Sequence, residues 1–69
     1  MDKYLFEYEM KKAGYTTPAM MAKAIGLSLS AYYRRFKNTN KWTKEDIDKV
    51  AVLLGWEAAN RIFFANQVS

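Results

Sequence analysis

A chain of 69 residues, 51% apolar and 16% aromatic, can fill one hydrophobic core but not two, so residues 1–69 are expected to form a single domain held mainly by large rings. It contains no Cys and no His, which removes thiolate nucleophiles, the common metal ligands and the one side chain that titrates near neutrality unaided, so no enzyme, metal site or cofactor is expected. No apolar run approaches the ~20 residues that cross a bilayer, and Asp2 follows Met1 where a leader would turn basic and then apolar; a soluble, intracellular protein without a membrane partner is expected.

The net charge of +4 is unevenly spread. From Met10 to Lys44 there is no acid, and eight of the eleven basic residues lie there: Lys11, Lys12, Lys23, Arg34, Arg35, Lys37, Lys41 and Lys44. A charge run is often just a solvated face. Here the basic residues converge on one short helix and the loop after it, which favours a phosphate-facing surface.

In chain order, five helical segments and no strands are expected. Asp2 to Ala13 alternates aromatic and charged residues, with Phe6, Met10 and Ala13 on an inward line and Leu5 beside it. Gly14 ends this helix. Thr17 can then cap a second helix through its side-chain oxygen, and Pro18 suits the first helical position. Met21, Ala22 and Ile25 recur at three- and four-residue spacing on one face, and Gly26 can close the helix in the left-handed conformation. Ser28 can cap a third helix whose inner residues are Tyr32 and Phe36, leaving Leu29, Ser30, Tyr33, Arg34 and Lys37 outward. Two short helices, about 17–25 and 28–38, thus meet across a tight turn, as a DNA-binding helix-turn-helix requires.

Asn38, Thr39, Asn40 and Lys41 are polar and lack periodicity, which predicts a loop. Thr43 with Asp46 three residues on predicts a capping box, with Trp42 packed on the first turn. Ile47, Val50, Ala51 and Leu54 form the inner face of the fourth helix, and Gly55 stops it. Trp56 to Ala65 forms a fifth, with Ala59, Ile62 and Phe63 inward and Phe64 harder to bury on that face. Surplus apolar surface of this kind reads either as a dimer contact, carried by Phe63 and Phe64, or as a wrap of Phe64 back onto the first helix. For Arg35 the reading is a stem packed on the core edge with a solvated head, or a DNA contact.

The order of helices, Ala22 and Gly26 four apart, the inner pair Tyr32 and Phe36, and a capped fourth helix together resemble the Cro/CI-type (XRE-like) helix-turn-helix regulators of temperate phages, over nearly the whole chain. The segment YYRRFKN before a polar loop and a Trp-Thr start, and the ending IFFAN, look most like short phage-encoded members from Gram-positive hosts. The resemblance implies an all-α, lambda-repressor-like five-helix domain, homodimeric on double-stranded operator DNA in the bacterial cytoplasm, associated with the nucleoid. It places Leu29, Ser30, Tyr33 and Arg34 where the family reads base edges in the major groove. Arg34 could pair with guanine or grip a phosphate. It places Thr17, Lys37, Asn38, Thr39, Asn40, Lys41, Thr43 and Lys44 at the sugar-phosphate backbone. Pro18 stands where many relatives carry a phosphate-bonding Gln, so that contact is missing. Because Leu29 and Tyr33 are less polar than a usual reading face, a second reading is an antirepressor or modulator that binds a phage repressor protein through that face or the fifth helix.

Overall fold

Side chains set where each of the first four helices begins. The computed structural model describes residues 1–64 and contains five α-helices: α1 (Lys3–Lys12), α2 (Pro18–Ala24), α3 (Leu29–Lys37), α4 (Lys44–Leu54) and α5 (Trp56–Phe64). Asp2, Thr17, Ser28 and Thr43 each accept a hydrogen bond from the backbone N–H three residues on, at 2.9, 3.2, 3.1 and 3.1 Å. These caps satisfy amides that the first turn of a helix leaves without partners. At α4 the box is reciprocal, since Asp46 Oδ2 also accepts from the Thr43 N–H at 3.3 Å. No strand occurs among the described residues, and no helix there is long and apolar enough to cross a membrane.

Between α2 and α3 the chain reverses in a Schellman turn. Gly26 has φ +76°, its N–H donates to the Lys23 carbonyl at 3.1 Å, and the Leu27 N–H donates to the Ala22 carbonyl at 2.9 Å. A side chain at Gly26 would be strained at that φ, so the short connection depends on glycine there. After α3 the expected loop is tighter than its sequence suggested. Thr39–Lys41 forms a single 3-10 turn, begun by Asn38, whose Oδ1 accepts from the Asn40 N–H at 3.2 Å.

The core is built around Phe6, which is fully buried. Its ring lies 5.0 Å from Phe36, 5.7 Å from Trp42, and 6.3 Å from both Tyr32 and Phe63, drawing α1, α3, the approach to α4, and α5 onto one side chain. Met10, Met21, Ala22, Ile25, Val50 and Ile62 close around this cluster. Burying each large apolar residue contributes roughly 1.5–3 kcal/mol, which is how a chain this short offsets its entropy. Ala13 does not join the inward line. Helix α1 ends at Lys12, and Ala13 is its exposed cap, already past the reach of the core.

Two buried acids complete the frame. Glu9 and Arg61 join α1 to α5 at 3.4 Å. Asp46 and Arg35 join α4 to α3 at 2.7 Å, so the Arg35 head is engaged within the chain instead of solvated. Burial alone would raise the Asp46 pKa; hydrogen bonds from Arg35 and from Thr43 outweigh it and hold the carboxyl below its ordinary value of 3.8. A folded pKa below the unfolded one means that Asp46 adds stability above pH 3.8 and loses it as the pH falls through the folded value. Asp46→Asn is therefore expected to cost about 1–3 kcal/mol in urea unfolding at neutral pH. The deficit should narrow in the same measurement under strongly acid conditions; an equal deficit at both would show that the charge is not what stabilises.

Candidate functional site

The inward pair of α3 determines what its other side presents. Tyr32 is buried and Phe36 is half-buried against the core, which turns Leu29, Ser30, Tyr33, Arg34 and Lys37 to solvent as one face. Leu29 and Tyr33 are 43% and 53% exposed, too open for core residues. The Tyr33 ring meets Tyr32 edge-on at 5.9 Å, which limits its range on the surface. Beneath it, burial first, then the neighbouring Tyr33 and Glu7, push the Tyr32 pKa up to about 12. Its hydroxyl stays protonated and points to Met10 Sδ at 3.5 Å.

Of the predicted backbone-contact residues, the structure separates those with unused groups from those already engaged. Thr17 lies at the start of α2, where its oxygen accepts the Met20 N–H. Asn38 spends its side-chain carbonyl on the 3-10 turn, and its side-chain NH2 remains available to donate. Thr39 is half-buried, and its carbonyl accepts from the Trp42 N–H at 3.3 Å. Asn40 and Lys41 are exposed. Thr43 has both its N–H and its oxygen committed to Asp46. Lys44 pairs with Asp48 at 3.0 Å.

Half of the basic side chains left without an acidic partner among the described residues lie together at the end of α3 and the turn after it, the others being Lys3, Lys12 and Lys23. Among the described residues Lys11, Arg35, Lys44, Lys49 and Arg61 each have an acidic partner within 4 Å, whereas Arg34, Lys37 and Lys41 have none. Arg34, Arg35 and Lys41 together line a cleft of ≈ 180 Å³ between α3 and the 3-10 turn. No acid faces it. Such a surface attracts anions at long range and loses that attraction as salt screens it.

In α5, Phe63 packs within 5.3 Å of Trp42 and belongs to the core, while Phe64 is 39% exposed. Val52, Trp56 and Phe64 are the large apolar side chains that α4 and α5 leave open, with Trp56, Asn60 and Phe64 one turn apart along α5. Ala65 and Asn66, the end of the expected fifth helix and of the IFFAN segment, lie outside the described residues. No group of three His, Cys, Asp or Glu able to hold a metal occurs among the described residues. The Arg35 to Asp46 link escaped sequence reasoning, because the capping box shows only the local partner of Asp46.

The chain matches no family model, no curated protein and no solved structure. Ser30 and Arg34 can still be tested apart from the fold, because both are exposed and neither belongs to the core cluster. Ser30→Ala and Arg34→Ala are each expected to change stability by no more than about 0.5 kcal/mol in urea titration, so that any binding defect they cause reads as a surface effect.

Proposed function

We propose that the chain is a sequence-specific DNA-binding transcription regulator of Cro or repressor type, encoded by a phage or prophage. In this reading α2 and α3 form a helix-turn-helix in a lambda-repressor-like domain, with α3 in the major groove of an operator. The observation that carries it is the outward face of α3, exposed along its length and edged by Arg34, Lys37 and Lys41 without acidic partners. Ser30 would donate to or accept from a base edge, Leu29 would cover a thymine methyl, and Tyr33 would reach a base or a phosphate oxygen. Lys37, Asn38, Asn40 and Lys41 would grip the backbone beside them, with Thr17 at the start of α2. The bacterial cytoplasm and nucleoid follow from this role.

A homodimer fits the same reading. Operators with two-fold symmetry call for two copies, and α4 and α5 leave the apolar side chains of Val52, Trp56 and Phe64 exposed. The exposure of Leu29 and Tyr33 favours one alternative, a modulator that docks a phage repressor protein through the α3 face. Leu29→Lys separates the two: in the modulator reading it abolishes the protein contact and leaves any DNA affinity unchanged or higher, whereas in the regulator reading it weakens preference for the thymine that Leu29 covers.

Selection from random duplex DNA at physiological salt is expected to enrich a sequence with two-fold related halves. Affinity for it should fall linearly in log–log salt plots, and Ser30→Ala should relax preference at a single base position by about 0.5–1.5 kcal/mol, as the loss of one neutral hydrogen bond. Enrichment of no sequence at that salt would refute the regulator reading.

A further inference from the structure

We propose that the cleft between α3 and the 3-10 turn is a seat for one phosphoryl group, gripped by Arg34, Arg35 and Lys41. In a complex with DNA, which rests on the reading above, the seat takes a backbone phosphate, and Arg34 positions the duplex instead of reading a base.

The lining consists of three basic side chains and no acid. Arg35 is the fixed member. Its Nε donates to Asp46 Oδ2 at 2.7 Å and its Nη1 to the Ala31 carbonyl at 3.4 Å, so the guanidinium is held in place while Nη2 keeps its donors unspent. Asp46 is itself buried and shared with the Thr43 N–H, so its charge answers Arg35 from behind the cleft and does not reach across it. Arg34 and Lys41 have no acidic partner among the described residues, and they supply the two remaining walls from successive elements. With Arg35 answered by Asp46, Arg34 and Lys41 bring two uncompensated charges to one small volume, which favours an entering anion.

The shape of the donor set selects the anion. A carboxylate offers two oxygens in one plane and suits a single guanidinium fork, whereas a phosphoryl group presents oxygens tetrahedrally and can take donors from three sides at once. The cleft, at ≈ 180 Å³, is open enough to admit such a group with part of its ester chain. Arg34 is the sixth residue of α3, beside this cleft, whereas Leu29 and Ser30 form its first turn. That separates a reading end of the helix from a gripping end.

The test uses the full chain. Inorganic phosphate is titrated in while the Nε–Hε resonances of Arg34 and Arg35 are followed by NMR, with chloride at matched ionic strength as the control. Saturable shifts with phosphate alone are expected, weakened several-fold in Lys41→Gln; shifts no larger than those in chloride would overturn the seat. In duplex titrations Arg34→Gln and Lys41→Gln should each lower the salt slope by about one without changing the preferred sequence. Loss of preference at one base position in Arg34→Gln, with the slope unchanged, would also overturn it. A chain that binds phosphate in the cleft but no duplex upholds the seat and removes the DNA reading. A chain that binds duplex with both slopes unchanged keeps the DNA reading and removes the seat.

Discussion

Everything in this molecule is arranged around the ring of Phe6. Few residues can be buried by a chain of 69, and here one fully buried phenylalanine meets Phe36 and Phe63 edge-on, at interplanar angles of 84° and 87°. Edge-to-face packing is directional, so it orients helices as well as attracting them. Because Tyr32 and Phe36 must face Phe6, α3 cannot turn on its axis without giving up both contacts. The exposure of Leu29, Ser30, Tyr33, Arg34 and Lys37 is the other side of that constraint. Core and surface of α3 are therefore one decision, taken by the spacing of two aromatic residues.

A second constraint is electrostatic. The acids of this chain lie near its two ends of sequence, and most of them neutralise a cation beside them: Glu7 with Lys11, Asp48 with Lys44, Glu57 with Arg61. Exposed pairs of this kind contribute little to stability. Their main consequence is spatial, because they compensate every cation that α4 and α5 carry among the described residues, while Arg34, Lys37 and Lys41 stay uncompensated around the end of α3. Asp46, buried like Glu9, does more than pair with a cation. It caps α4 and holds Arg35 with the same carboxylate, so the start of one helix and the third turn of another are fixed by a single group.

How much of this was legible in the sequence depended on how local each cause was. Thr17, Ser28 and Thr43 were readable as caps because a cap needs only residues three positions apart, and Met21, Ala22 and Ile25 were readable as core because their spacing follows one helical face. Ala13 shows the limit of periodicity, which continues a face past the point where neighbouring elements stop covering it. The 3-10 turn at Thr39–Lys41 was hidden because its cause is one side-chain oxygen of Asn38 folding onto the backbone. Arg35 with Asp46 and Glu9 with Arg61 were hidden for a different reason: each pair joins separate helices, and no local pattern encodes the meeting. For the candidate site, the outward set on α3 followed from helical spacing. Which cations keep their charge free, and the cleft that three of them share, required the fold.

The two ends of the described chain also touch. The Asp2 N–H donates to the Ile62 carbonyl at 2.8 Å, and Glu9 and Arg61 reinforce the junction of α1 with α5. The helix caps and the Schellman turn close within a few residues, so they can form early and independently. The α1 to α5 junction closes a loop spanning almost the entire described length and carries the largest loop-closure entropy among the contacts of the described residues. It is accordingly the seam along which the domain would open, and loosening it would uncover Phe6 and Trp42 together. The residue that organises the core is thereby guarded by the latest contact to close, so folding should be cooperative, with no subset of helices retaining a sealed core once α5 has left.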